Sequence, residues 1–537
     1  MCGILLSLLS HPLSKSIHNQ FHRGPDEHKK IVFNKWHYIF DRLSINDIEN
    51  GSQPFQTSNS VFMCNGEIYN NENLKNMYKV QCESKSDCEP IFRILDLILS
   101  VNMHDQSKYH QTKALNISSF LKQIDGVFAF AYSNDEFTII ARDPIGIRPL
   151  FYSIVDDEII GFSSEAKCLL QDGATIHHFP PGECWIVDND HDITLKPKNF
   201  KVLKYNPLSF PMVTVNKPIN VYATVKTLLT DAVKKRLMSD VPIAFFLSGG
   251  LDSSLIVSIA CRLMNPKNIT TYSIGTKGSN SPDLIAANEV AKYLGTNHVN
   301  VEFDVNDAFH EIEKVIYHLE SYDCTTVRAS VPMFILAKHV AKLNQHKVIL
   351  SGEGADELFG GYLYLHDAPS SNEFQHETIR LIKHVHQFDA LRADRCLAAH
   401  GLEVRVPFFD KRLVEYVTSL HPDLKKPNQR CEKLLLRNAF NGYLPTHLLY
   451  RQKNGMSDAV GYSWVDFLKS KIDSKYDIND ISYDINPPFN NEEAYYRHIY
   501  HSLFQNKVFA HQDIWRPKWT TETDPSARKL TVFNDIY

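Results

Sequence analysis

Residues 241–263 read VPIAFFLSGGLDSSLIVSIACRL: a continuous apolar run, a turn with two glycines, then a segment with helical spacing. An apolar run without alternation marks a strand buried on both faces, as in a parallel sheet. The next stretch repeats the pattern, with ITTYSIG (269–275) as a strand and PDLIAANEVAKYLG (282–295) as a helix closed by Gly295. Strands alternating with helices imply a parallel sheet covered on both faces. Ligands bind beyond the carboxyl ends of such strands, which is where SGGLDSS (248–254) lies.

In that loop Gly249 and Gly250 let backbone approach a ligand, and the N–H groups at the following helix start form an anion site. Asp252 is placed to hold a Mg²⁺ bound to the same phosphates. On its own the loop also fits a capped strand-to-helix turn. A second strand, VIL (348–350), runs into SGEGADELFGGY (351–362), which sets Glu353, Asp356 and Glu357 among glycines with apolar flanks. Carboxylates so placed suit metal binding and substrate polarisation better than a solvated surface.

Upstream, the first two hundred residues read as short strands: ILLSLL (4–9), VFMCNGEIYN (61–70), GVFAFAYSNDEFTIIARD (126–143) and LFYSIVDDEIIGFSSE (150–165). Pro207, Pro211 and Pro218 mark a linker over 206–218, and from about Ser474 the text becomes irregular. The length, 537 residues, exceeds one ordinary core. Hydrophobic residues at 43% and charged residues at 22% fit a folded chain.

The formal charge of −5, without a long basic run, argues against nucleic acid as a partner. No apolar stretch reaches the roughly 18 residues of a membrane span. Ten cysteines without a CxxC pair speak against a zinc ribbon or a disulfide framework, so a reducing cytoplasm fits best.

The start, MCGILL, sets Cys2 where removal of Met1 would leave a thiol of pKa about 8.5 beside an amine of about 7.7–8.0, a nucleophile with its own base. Alone, a cysteine there carries little meaning. Its companions are HRGPDE (22–27), FDRLSIND (40–47), CNGEIYN (64–70), SKSDCE (84–89) and ARDPIGIRPLF (141–151).

This ordered set resembles the class II glutamine amidotransferases. LSGGLDSS resembles the pyrophosphate loop of the ATP pyrophosphatases. Joined to SGEGADELFGGYLY, YDCTTVRASVPM (322–333), DALRAD (389–394) and GLEVRVPFFD (401–410), it resembles the synthetase domain of glutamine-hydrolysing asparagine synthetases. The resemblance covers roughly residues 1–470. It implies an α+β, Ntn-hydrolase-like αββα sandwich over 1–205 and an α/β synthetase domain of adenine nucleotide alpha hydrolase-like type over 219–537.

It also implies roles. Cys2 would be the nucleophile, with Asn65 and Gly66 as oxyanion donors. Arg42 would grip the glutamine carboxylate, and Glu67 with Asp87 its ammonium. Leu247, Ile274, Ser351 and Gly352 would face adenosine, while Ser248, Gly249, Gly250, Asp252, Ser253, Ser254 and Lys453 would face pyrophosphate. Glu353 would serve formation of a β-aspartyl adenylate, Asp252 and Asp356 would hold Mg²⁺, and Arg328, Asp389 and Arg392 would meet aspartate. The substrates implied are glutamine, aspartate and ATP, and members often form homodimers.

The alternative is a related amidotransferase or adenylating synthetase that amidates a different carboxylate or closes a ring, as β-lactam synthetases do. The β-lactam synthetases lack the amino-terminal cysteine, so Cys2 argues against them. A sugar-phosphate amidotransferase has no use for SGGLDSS and SGEGADE. A silent nutrient-sensing binder would not need Cys2, Arg42, Asp252, Glu353 and Lys453 together. Departures from the family pattern are Cys88 where many members carry Thr, a polar insertion over 101–118, and the tail.

Overall fold

The computed structural model describes residues 1–11, 17–100, 106–189, 195–205, 220–278, 281–427, 431–452, 463–474, 483, 485–504, 512–520 and 524–525. The linker expected at 206–218 lies outside them.

Two six-stranded antiparallel sheets form the amino-terminal half. The first has the strand order Thr175–His178, Phe151–Val155, Glu158–Ser163, Gly3–Leu8, Trp36–Arg42, Glu27–Phe33. The second has Lys201–Lys204, Glu183–Asp188, Phe137–Arg142, Gly126–Asn134, Ser60–Ile68, Phe55–Gln56.

The apolar run at the start is a strand buried along its whole length, Gly3–Leu8. Ile4, Leu6 and Leu8 face Val61, Met63, Ala129 and Ala131 of the second sheet, and Leu5 on the other face meets Phe151, Cys168, Ile176 and Leu391. Period-two alternation thus fills two apolar layers at once.

The outer face of the second sheet is covered by the helices Asn71–Tyr78, Glu89–Ser100 and Gln106–Gln123. The outer face of the first is closed by the one-turn helix Ala166–Leu169 and by Leu391 of the other half. The expected polar insertion contributes most of the helix Gln106–Gln123. Its apolar face comes from Ile117 and from Phe120 and Leu121, the latter two just beyond the segment.

A five-stranded, all-parallel sheet organises the second half, in the order Asn297–Phe303, Thr270–Thr276, Ile243–Phe246, Val348–Leu350, Glu403–Arg405. The first strand in the chain lies centrally. Its successors extend to one side, and Val348–Leu350 then returns to the other, so the order reverses between Ile243–Phe246 and Val348–Leu350. A crevice opens at such a reversal, and both glycine loops emerge into it. The helix Pro282–Leu294 is capped by the Ser281 hydroxyl, which accepts from Leu284 N, and by Gly295 at φ 78°.

The tail read as irregular contains the helix Asn491–Phe504. Tyr496, Tyr500 and Phe504, spaced four apart, enter the main core of the second half.

Buried charges join the halves. Arg23 pairs with Asp394 across the junction and with Glu165 of its own half at 2.8 Å each, and Arg395 pairs with Glu320 of its own half at 2.8 Å and with Glu165 across the junction. No helix among the described residues is long and apolar enough to cross a membrane.

Candidate active sites

The first site lies where the strands Gly3–Leu8 and Ser60–Ile68 end against the loop after Arg42. Cys2, Arg42, Asn65, Gly66, Glu67 and Asp87 line one cleft, with Asn46, Gln53, Cys64, Cys88 and Glu403. The Cys2 thiol donates to Leu43 O at 3.8 Å, and the Cys2 carbonyl accepts from Arg23 Nε at 3.0 Å. Burial pushes the Cys2 thiol up to about 11 and the Met1 amine down to about 5. With Met1 in place, its ammonium donates to Leu402 O at 3.3 Å.

Arg42 donates to the carbonyls of Asn46 at 3.4 Å, Ile48 at 3.1 Å and Asp47 at 2.5 Å, which holds the loop in a curl around its guanidinium. Asn65 Nδ2 is buried with no acceptor. An unsatisfied donor in a cleft is costly unless something arrives to accept from it. A Cβ on Gly66 would meet Val127 O at 2.6 Å, so only glycine fits there. Burial raises the carboxyls of Glu67 and Asp87, against the pull of Arg405 on both.

Glu403 and Arg405 belong to the edge strand of the parallel sheet, yet Glu403 lines this cleft and Arg405 meets its Glu67. Arg405 pairs with Glu67 at 3.1 Å and Glu403 at 2.8 Å, while its carbonyl accepts from Ser351 N at 3.0 Å. One residue therefore touches both glycine-loop chemistry and the thiol cleft. The contact is long-range, so the sequence does not reveal the pair, although both residues lie within GLEVRVPFFD.

The second site fills the crevice. Leu247, Ser248, Gly250, Asp252, Ser253, Ile274, Ser351, Gly352, Glu353, Asp356 and Arg392 line it together. Tyr272, Met333 and Leu336 make an apolar slot beside Leu247 and Ile274. Gly249 and Ser254 are not in that lining: Gly249 holds φ +72°, where a Cβ would lie 2.4 Å from Ala287 N, and Ser254 N donates to Gly250 O at 3.2 Å. Gly352 packs on the phosphate loop, where a Cβ would lie 2.8 Å from Ser253 N.

Glu353 is half-buried, its Oε2 buried and lacking a donor, and desolvation raises its carboxyl against the pull of Arg392, whose guanidinium is 3.8 Å away. Arg392 also pairs with Asp389 at 2.7 Å, and Tyr362 donates to Asp389 at 3.3 Å and Glu357 at 2.7 Å. Asp389 thus stands behind Arg392 rather than in the crevice wall. Arg328 is turned away, bound to Glu492 at 2.6 Å and Asp524 at 3.0 Å of the tail. Lys453 lies outside the described residues.

Lys433, which no sequence motif marks, enters the same crevice. Its ammonium lies 2.5 Å from Asp252 and 2.6 Å from Asp356, and the two carboxylates, overcoming the cost of burial, hold it charged. Two carboxylates converging on one cation seat suit Mg²⁺, which takes one or two protein oxygens and otherwise phosphate and water. Arg451 closes the other side, donating to Gly249 O at 3.1 Å and pairing with Asp283 at 3.1 Å.

A thiol cleft at the start of a two-sheet sandwich, joined to a parallel-sheet crevice with a phosphate loop and an acidic loop, defines a glutamine amidotransferase fused to an ATP-using synthetase. Residues 40–171 match the model of the glutamine amidotransferase domain, and residues 224–377 and 368–530 match that of asparagine synthase. Among relatives, asparagine synthetase [glutamine-hydrolyzing] 3 of Arabidopsis thaliana is 38% identical over 98% of this chain and 94% of its own length. The asparagine synthetase [glutamine-hydrolyzing] of Sandersonia aurantiaca is 40% identical over 90% and 91%. That of Gallus gallus is 36% identical over 95% and 94%. The chain belongs to the family of glutamine-hydrolysing asparagine synthetases.

Proposed function

We propose that the chain converts aspartate, glutamine and ATP into asparagine, glutamate, AMP and pyrophosphate. The observation that carries this reading is the convergence of Cys2, Arg42, Asn65, Gly66, Glu67 and Asp87 on one cleft whose wall is completed by Glu403 of the synthetase half.

With Met1 removed, the Cys2 amine takes the thiol proton, the sulfur attacks the glutamine amide carbon, and the amine returns the proton to the leaving nitrogen. Ammonia departs as the C–N bond breaks and the γ-glutamyl thioester forms; water then hydrolyses the thioester to glutamate and frees the thiol. Asn65 Nδ2, a buried donor without an acceptor, suits the developing oxyanion, with Gly66 N–H as its partner. Arg42 takes the α-carboxylate, and Glu67 and Asp87 take the ammonium.

In the crevice, Leu247, Ile274, Tyr272 and Met333 receive the adenine, and Ser248 to Ser254 the phosphates. Asp252 and Asp356 would hold Mg²⁺, which neutralises phosphate charge when bound. Lys433 adds a fixed positive charge beside them, and Lys453 is assigned to the same phosphates. Glu353, beside Arg392 in the crevice, is assigned to formation of the β-aspartyl adenylate. Arg392, held by Asp389, offers a carboxylate partner for aspartate. The shared residue Arg405 favours direct passage of ammonia between the sites, shielded from protonation.

All ten cysteines are free thiols, which favours a reducing compartment, the cytoplasm. A Cys2→Ala protein tests the division of labour: asparagine formation from ammonium persists while formation from glutamine is lost. Loss of both activities would sink it.

A further inference from the structure

The cleft that receives glutamine holds an internal substitute for part of it. Asn46 Nδ2 donates to Glu67 Oε2 at 2.9 Å and to Asp87 Oδ1 at 3.1 Å. One nitrogen with two N–H groups therefore bridges two buried carboxylates, the arrangement an α-ammonium would make.

We propose that Asn46 is a specificity-determining placeholder: its amide occupies the ammonium seat between Glu67 and Asp87 and must rotate out when glutamine enters. This rests on the reading of that cleft given above.

The neighbouring backbone confines the movement to the side chain. Asp47 N donates to Asp240 Oδ2 at 2.8 Å, and Asp240 N donates to Ile45 O at 3.2 Å, so the synthetase half clamps the loop on both sides of Asn46. Arg42 holds the carbonyls of Asn46 to Ile48.

The carboxylates have fixed partners of their own. Asp87 Oδ2 accepts from Ile68 N at 2.7 Å, and Glu67 pairs with Arg405 at 3.1 Å. The seat thus keeps its shape when the amide leaves. A neutral amide holds two carboxylates more weakly than an ammonium does, so an entering amino acid with a free α-amine displaces it, whereas a ligand without that amine does not.

Displacement subtracts from glutamine binding, so removing the amide strengthens it. In Asn46→Val and Asn46→Ala proteins, the glutaminase KM for glutamine is expected to fall about tenfold, equal to ~1.4 kcal/mol, with kcat within about twofold and ammonium-dependent synthesis unchanged. A KM that stays the same or rises overturns the proposal, since Asn46 would then be either idle or a direct ligand. A wild-type chain that releases no glutamate fails earlier, at the reading of the cleft itself.

A second measurement does not depend on how those variants fold. In a structure of the Cys2→Ala protein with glutamine bound, the Asn46 amide is expected to have left both carboxylates. Retention of its two hydrogen bonds beside bound glutamine refutes the placeholder.

Discussion

Gly249 offers a test of how the phosphate loop is built. It holds φ +72°, and an added Cβ would lie 2.4 Å from Ala287 N and 2.7 Å from Ala286 C, both backbone atoms of the helix Pro282–Leu294 that cannot swing aside. Gly249→Ala therefore incurs about 1–2 kcal/mol for the left-handed backbone and about 1–3 kcal/mol for overpacking, together about 2–5 kcal/mol.

Gly295 isolates the first contribution. It has φ +78° with nothing within 4 Å of an added Cβ, so Gly295→Ala incurs only the dihedral cost, about 1–2 kcal/mol. Urea unfolding followed through the synthetase half, together with ATP–pyrophosphate exchange, reads both proteins. Gly249→Ala should lose the larger stability and most of the exchange, while Gly295→Ala keeps its exchange. Equal losses in the two proteins would refute the claim that the loop is wedged against that helix.

Arg42→Lys keeps a charge but lacks the fork that holds Asn46, Asp47 and Ile48. At about 1.5–3 kcal/mol for charge-assisted bonds, the glutamine KM should rise roughly 10- to 100-fold, with ammonium-dependent synthesis untouched. Lys425 is 2% exposed with Gln375 Oε1 at 2.9 Å, and burial lowers its ammonium to about 7. Between pH 7 and about 10.4 the unfolded chain binds the extra proton, so this residue makes stability rise with pH across that window, by on the order of 4 kcal/mol in full. Unfolding at pH 7 and pH 9 should show the rise, and Lys425→Met should flatten it. Arg328→Ala strands the buried Glu492 at a cost of about 3–5 kcal/mol. Limited proteolysis should then cut the tail beyond residue 474, with the aspartate KM little changed.

What the sequence makes legible depends on how local the physics is. The turn after Ile243–Phe246 and the one after Val348–Leu350 are readable because glycine, hydroxyl and carboxylate chemistry is packed into seven to twelve consecutive residues. The Cys2 cleft is readable as an ordered set of short motifs whose members do meet.

Lys433 is harder: it lies 181 positions from Asp252 and meets it only through packing of the crevice. Arg405 and Asn46 lie inside short motifs, but their partners come from distant segments: Arg405 meets Glu67 through the docking of the two halves, and Asn46 meets Glu67 and Asp87 through the folding of its own. Arg328 shows the converse, since a residue placed by motif turns out to anchor the tail. The helix Asn491–Phe504 had a legible signal in Tyr496, Tyr500 and Phe504, obscured by the polar residues between them.

The coupling of the two halves is tested most directly by supplying the purified chain with amide-¹⁵N glutamine, aspartate and Mg-ATP, then weighing the asparagine formed and separating AMP from ADP. Asparagine carrying the label, formed one for one with AMP, is the expected result. Glutamate released without labelled asparagine, or ADP in place of AMP, would contradict it.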